Sequence, residues 1–76
     1  MTNEELGKRY IKLSNMYETN GHNYDARADK YHVLGDYENE LYYRKLATEA
    51  YRDAKTCLEV GDYLIKENAN MEAPKC

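Results

Sequence analysis

His22, His32, Cys57 and Cys76 are the residues of this chain best suited to holding a transition metal or attacking a substrate. Their spacing does not favour either task. The histidines lie ten residues apart and the cysteines form no C-x-x-C pair, whereas a zinc site draws its ligands from short, clustered spacings. Both histidines therefore read as structural or surface residues, and no metal is expected. A thiol nucleophile needs a base and electropositive surroundings. Cys57 instead continues a stripe of alanines at 47, 50 and 54 and reads as a small apolar packing residue. With Cys76 at the last position, the two thiols do not form a disulfide framework.

The fourteen carboxylates offer acid–base chemistry only in principle. Asp25 with Asp29 and Glu38 with Glu40 are the nearest pairs. Arg27 and Lys30 stand beside the first pair, which makes a solvated charged face the simpler reading. The motifs G-x-S-x-G, G-x-x-x-x-G-K and H-E-x-x-H do not occur. No enzyme activity and no cofactor are expected.

Basic residues stand at Lys8, Arg9 and Lys12 and further on at Arg44, Lys45, Arg52 and Lys55; Arg44, Arg52 and Lys55 can line one side of a helix and, with Tyr10 or Tyr42, make a strip on which bases stack. Glu40, Glu49, Asp53 and Glu59 interleave with them, and the chain carries a net charge of −3. Nucleic acid is accordingly the third choice of partner. No apolar run approaches the ~18 residues of a membrane span. The segment "MTNEELGKRY" has no apolar signal core, so a cytoplasmic location is expected.

Tyrosine is the strongest signal. There are nine, with no phenylalanine and no tryptophan. The ring buries well but the hydroxyl wants a partner, which suits a core close to water or an interface. Tyr10, Tyr17, Tyr24 and Tyr31 recur at every seventh residue, the repeat of helices packed on one another, and read as half-buried seam residues. Tyr37, Tyr42, Tyr43 and Tyr63 are the candidate protein-binding residues, because tyrosine gives contact area at low rotamer cost. Tyr42 and Tyr43 point about 100° apart on a helix and cannot both face one seam.

These side chains need helices to position them. Thr2 and Glu5 fit an N-terminal capping box, and Leu6, Tyr10, Leu13 and Tyr17 form one apolar face. Asn20-Gly21 reads as a helix stop and Asn23 as the next cap. Gly35 then stops the second helix and Asp36 caps a third. Tyr43, Leu46, Ala47, Ala50, Ala54, Cys57 and Leu58 form the apolar face of this third helix. The triplet Gly35-Asp36-Tyr37 returns at Gly61-Asp62-Tyr63. The expectation is an all-α, antiparallel bundle of three main helices over about 3–19, 23–34 and 37–59. Either a short fourth follows over 62–68 or the third runs on through Gly61. One domain, 1–68, carries a frayed tail, 69–76. On this reading the turn at "NGHN" gives two of the evenly spaced tyrosines to each of two helices, and the even spacing is partly coincidental.

The stretch "NYDARADKYHVLGDYENELYYRKLA", residues 23–47, resembles a single tetratricopeptide repeat, a helical hairpin of about 34 residues. Tyr24, Ala28, Tyr31, the Gly35-Asp36-Tyr37 turn and Ala47 carry the resemblance. Arg27 stands where the family has leucine, and Glu40 where it has a small residue. The resemblance covers about a third of the chain. It implies a helical hairpin and a fold class that binds other proteins through exposed grooves.

Seventy-six residues bury only about 60% of the surface the unfolded chain exposes, so partners often complete domains of this size. The expected function is a small, non-enzymatic regulator or inhibitor that occludes a surface of another protein. Abundant asparagine, lysine and tyrosine, all with AT-rich codons, suggest a phage gene whose product acts on a host protein. A self-assembling structural protein, a homo-oligomer completed by its own copies, is the alternative.

Overall fold

Thr2 starts the first helix as its chemistry suggests: its Oγ1 accepts the N–H of Glu5 at 3.1 Å. Glu4 and Glu5 add negative charge to the first turn, where the helix dipole favours it. The helix then runs without a break. The computed structural model describes the backbone of residues 2–72 and the side chains of residues 2–67. It contains two helices, α1 (Asn3–Leu34) and α2 (Tyr37–Glu72), packed antiparallel into a rod about 65 Å long and 14 Å across. Of the tail expected over 69–76, residues 73–76 lie outside the described residues.

The bundle of three helices expected from the sequence does not form. The segments 3–19 and 23–34 belong to one helix, and the segments 37–59 and 62–68 to another. Asn20-Gly21 ends no helix and Asn23 caps none. The reason lies across the interface. Gly21 is buried in the seam, and a Cβ there would sit 2.6 Å from the Tyr51 ring. A Cβ on Gly61 would lie 2.7 Å from the carbonyl oxygen of Gly7, and one on Gly7 would lie 2.7 Å from the carbonyl oxygen of Gly61. Glycine's usual cost inside a helix is ~1 kcal/mol relative to alanine. Close approach of the second backbone offsets it here.

Between these points Ser14 donates its hydroxyl proton to the carbonyl oxygen of Ala54 at 2.7 Å, a bond possible only where the helices nearly touch. Gly7, Ser14, Gly21 and Ala28, every seventh residue of α1, are all buried. Ala47, Ala54 and Gly61 follow the same step on α2 and are buried too. The repeat of seven is therefore real and continuous. Its seam residue is the small one, and each tyrosine of the series 10, 17, 24, 31 follows three positions later. All four stand on one side of one helix, half-buried. Their even spacing is no coincidence.

The chain reverses where the sequence says it should. Gly35 adopts φ 75°, the left-handed region. Its N–H donates to the carbonyl of His32 at 3.1 Å, and that of Asp36 donates to the carbonyl of Tyr31 at 3.0 Å. This double closure is the Schellman arrangement. Asp36 at once caps α2, accepting from the N–H of Asn39 at 3.3 Å and from its side-chain amide at 2.7 Å. The same tripeptide at Gly61-Asp62-Tyr63 stays helical, since there Gly7 occupies the space opposite.

Two substitutions separate these uses of glycine. Gly61→Ala should lower the thermal midpoint, because overpacking of ~1–3 kcal/mol outweighs the propensity gain of ~1 kcal/mol. Gly35→Ala, with nothing within 4 Å of its Cβ, should lose ~1 kcal/mol through backbone strain alone. Thermal unfolding followed by circular dichroism checks both. A stabilised Gly61→Ala protein would mean that the helices do not approach there.

Candidate interaction surfaces

The small-residue seam divides the rod into two broad sides. On one, polar side chains close on each other. The Tyr51 hydroxyl donates to the Asp25 carboxylate at 3.3 Å and lies 2.9 Å from Nδ1 of His22. Nε2 of His22 lies 3.8 Å from Glu18. Arg44 reaches Asp25 at 3.2 Å and Asp29 at 2.6 Å, with Glu40 at 3.8 Å. His32 Nδ1 meets Glu40 at 3.0 Å. The hydrogen bond to Asp29 holds Arg44 more firmly protonated than usual; desolvation opposes it, and the hydrogen bond and charge of Asp25 add to it. Arg44 therefore answers three carboxylates and is not free for a phosphate. Burial of the Tyr51 ring, and then the charge of Asp25, push its hydroxyl above the ordinary tyrosine value.

The other side is aromatic. The Tyr43 ring stacks on Tyr31 at 5.6 Å between centroids, 3° from parallel, and on Tyr24 at 6.4 Å. Tyr42 meets it edge-on at 5.2 Å, and the Arg27 guanidinium stands 5.7 Å from its centre. Further along α2 the residues opposite the tyrosines shrink to Ala50 and Cys57. A shallow hollow there is lined by Tyr17, Tyr24, Leu46 and Ala50, together with the polar Asn20, Glu49 and Asp53.

The four tyrosines chosen as contacts separate in space. Tyr37 is 71% exposed and Tyr42 57%, both near the turn. Tyr43 is half-buried at the centre of the ring stack and supports the tip more than it offers a free ring. Tyr63 is exposed, but α2 rises roughly 30 Å between Tyr42 and Tyr63. The tip gains partners that the tyrosine count overlooked: Val33, 84% exposed, with Leu34 and Leu41. The signal for them was present in "VLGDY", two aliphatic residues set directly against a helix-ending glycine, where no further turn can cover them.

Among the described residues no cluster of three metal-ligating side chains occurs, and no helix is long and apolar enough to cross a membrane. Cys57 is half-buried and unpaired with another thiol. No family model, curated protein or solved structure matches the chain. Its function must therefore be argued from these surfaces.

The Tyr51 environment has a direct readout. With Cζ-labelled tyrosine followed by NMR, Tyr51 should titrate above the ordinary tyrosine range. Asp25→Asn should move its midpoint down, because a nearby negative charge and a hydrogen bond to the neutral hydroxyl are both lost. An ordinary midpoint in the unsubstituted protein would show that the ring is solvated and the polar side open.

Proposed function

We propose that this chain is a non-enzymatic protein-interaction module whose contact surface is the tip of the hairpin. It acts as a regulator or inhibitor by occluding a surface of another protein. The observation that carries this reading is the concentration of exposed apolar side chains, Val33, Leu34, Tyr37, Leu41 and Tyr42, around a single turn. Such clusters on small soluble chains mark contact sites. The turn has no loop residues to order, since Asp36 closes one helix and opens the next, so little entropy is lost when the tip docks. From Tyr31 to Tyr43 the chain carries Asp36, Glu38 and Glu40 and no lysine or arginine. A matching pocket is apolar with a basic rim. The likeness of residues 23–47 to a tetratricopeptide hairpin supports the same class of role. A phage-encoded factor acting on a host protein fits the size and the abundance of asparagine, lysine and tyrosine, residues whose codons are AT-rich.

A photo-crosslinking residue at 37 or 42, used in cells that express the protein, should capture one specific partner. The same residue at 52, on the outer surface of α2, should not. The Tyr37→Ser/Tyr42→Ser variant should lose that capture with unchanged circular dichroism. Equal capture from position 52, or capture by the folded double variant, would sink the tip as the contact surface.

A further inference from the structure

Two shallow hollows open beside the seam, one on each flank, and they differ in charge. The hollow on the polar flank, about 210 Å³, is lined by Ser14, Glu18, Tyr51, Ala54, Lys55 and Leu58. It holds one carboxylate and one ammonium. Its polar groups are already engaged: the Ser14 hydroxyl with the carbonyl oxygen of Ala54, the Tyr51 hydroxyl with Asp25, and Glu18 with His22. The hollow on the aromatic flank, about 170 Å³, sets Tyr17, Asn20 and Tyr24 of α1 against Glu49 and Asp53 of α2, and no lysine or arginine lines it. Among the described residues neither of these carboxylates has an ion-pair partner. That holds although Lys45 stands four places before Glu49 and Arg52 stands next to Asp53.

The chain itself shows what suits each half of this lining. Arg44 sets its guanidinium between Asp25, at 3.2 Å, and Asp29, at 2.6 Å, two carboxylates four places apart on one helix. Glu49 and Asp53 have the same spacing, about 6 Å along the axis. Arg27 sets its guanidinium 5.7 Å from the centre of the Tyr43 ring. Among the described residues no other cation stands over a ring, so Tyr17 and Tyr24 carry none. The hollow therefore brings a carboxylate pair and two rings to one place without a guanidinium of its own.

We infer that this hollow receives an arginine side chain of another protein. Glu49 and Asp53 accept its N–H groups, and the tyrosine rings pack on its plane. A guanidinium is flat, forked and weakly hydrated, so it meets both demands at once; an ammonium is a compact, strongly hydrated point charge. The size is suitable. A cavity of ~150 Å³ admits benzene, and a guanidinium is smaller than benzene. Asn20, Glu49 and Asp53 are exposed at the rim, so a side chain still attached to its backbone can enter. Asp53 lies roughly 16 Å along α2 from Tyr42, so this site is separate from the tip and does not depend on the tip contact.

NMR of the Tyr17 and Tyr24 ring signals, as acetyl-Gly-Arg-Gly-amide is added to the full chain, tests this. The expected result is a saturable shift of both at millimolar peptide. Citrulline in place of the arginine keeps the shape and removes the charge; it should weaken binding at least about fivefold. Lysine in that place should also bind more weakly than arginine. Glu49→Gln/Asp53→Asn should lose the preference for arginine over citrulline, whereas Glu59→Gln should keep it. The Tyr37→Ser/Tyr42→Ser chain should bind the peptide as the unsubstituted chain does, whatever becomes of its tip contact. The absence of a saturable shift overturns the inference, as does arginine binding no better than citrulline or lysine. So does a Glu49→Gln/Asp53→Asn chain that is helical by circular dichroism and binds arginine unchanged. Loss of peptide binding in the folded Tyr37→Ser/Tyr42→Ser chain would move the site to the tip and overturn it equally.

Discussion

Backbone meeting backbone is the contact on which the rest of this molecule depends. At Gly7 and Gly61 each main chain occupies the space a side chain on the other would need. At Ser14 a hydroxyl crosses the gap to a carbonyl oxygen. Few atoms are buried at these points, but they set the distance between helices, and that distance sets everything beside the seam. Because the axes lie close, large side chains cannot enter between them and are turned outward to the two flanks. The tyrosines are half-buried for that reason. They lean on the neighbouring helix with one face and leave the other available.

The two flanks then take different characters from the residues three and four places after each small one. Three places on, α1 carries tyrosine each time. Four places on it carries Ile11, Glu18, Asp25 and His32: Ile11 lies against Gly61, Asp25 meets Arg44 and Tyr51, and His32 meets Glu40. The polar flank closes through Arg44 and Tyr51, which tie the helices together near the tip. The aromatic flank closes only around Tyr43, and is open further down. Further from the turn both flanks carry a shallow hollow, one beside Tyr17 and Ala50 and the other beside Tyr51 and Leu58.

Much of this was legible in the sequence, and the error is informative. Thr2 as a cap, Gly35 as a stop and Asp36 as the next cap were all readable, because local hydrogen bonds decide them. Helix count was not, because glycine has two uses that local sequence cannot separate. At Gly35 the residue supplies a left-handed backbone; at Gly21 and Gly61 it supplies room. The distinguishing signal was long-range in the chain: Gly7, Ser14, Gly21 and Ala28 keep the same step as the tyrosines, and a stop signal has no reason to keep step with anything. The exposed Tyr37 and Tyr42 could be selected from residue type, but not their separation from Tyr63 or the role of Tyr43 in the ring stack. Those depend on which level of the rod each residue reaches.

The turn at Gly35-Asp36 also orders the events of folding. It closes with no spare residues, and every heptad on α1 has its counterpart on α2 counted outward from that point. Once the turn is made, each further pair joins at the cost of only one more turn on each helix, so contacts can close in sequence like teeth from the tip toward the chain ends. Gly7 and Gly61, farthest from the turn, close the longest span of chain and bear the largest closure cost, whereas Val33, Leu34, Tyr37 and Tyr42 sit where that span is shortest.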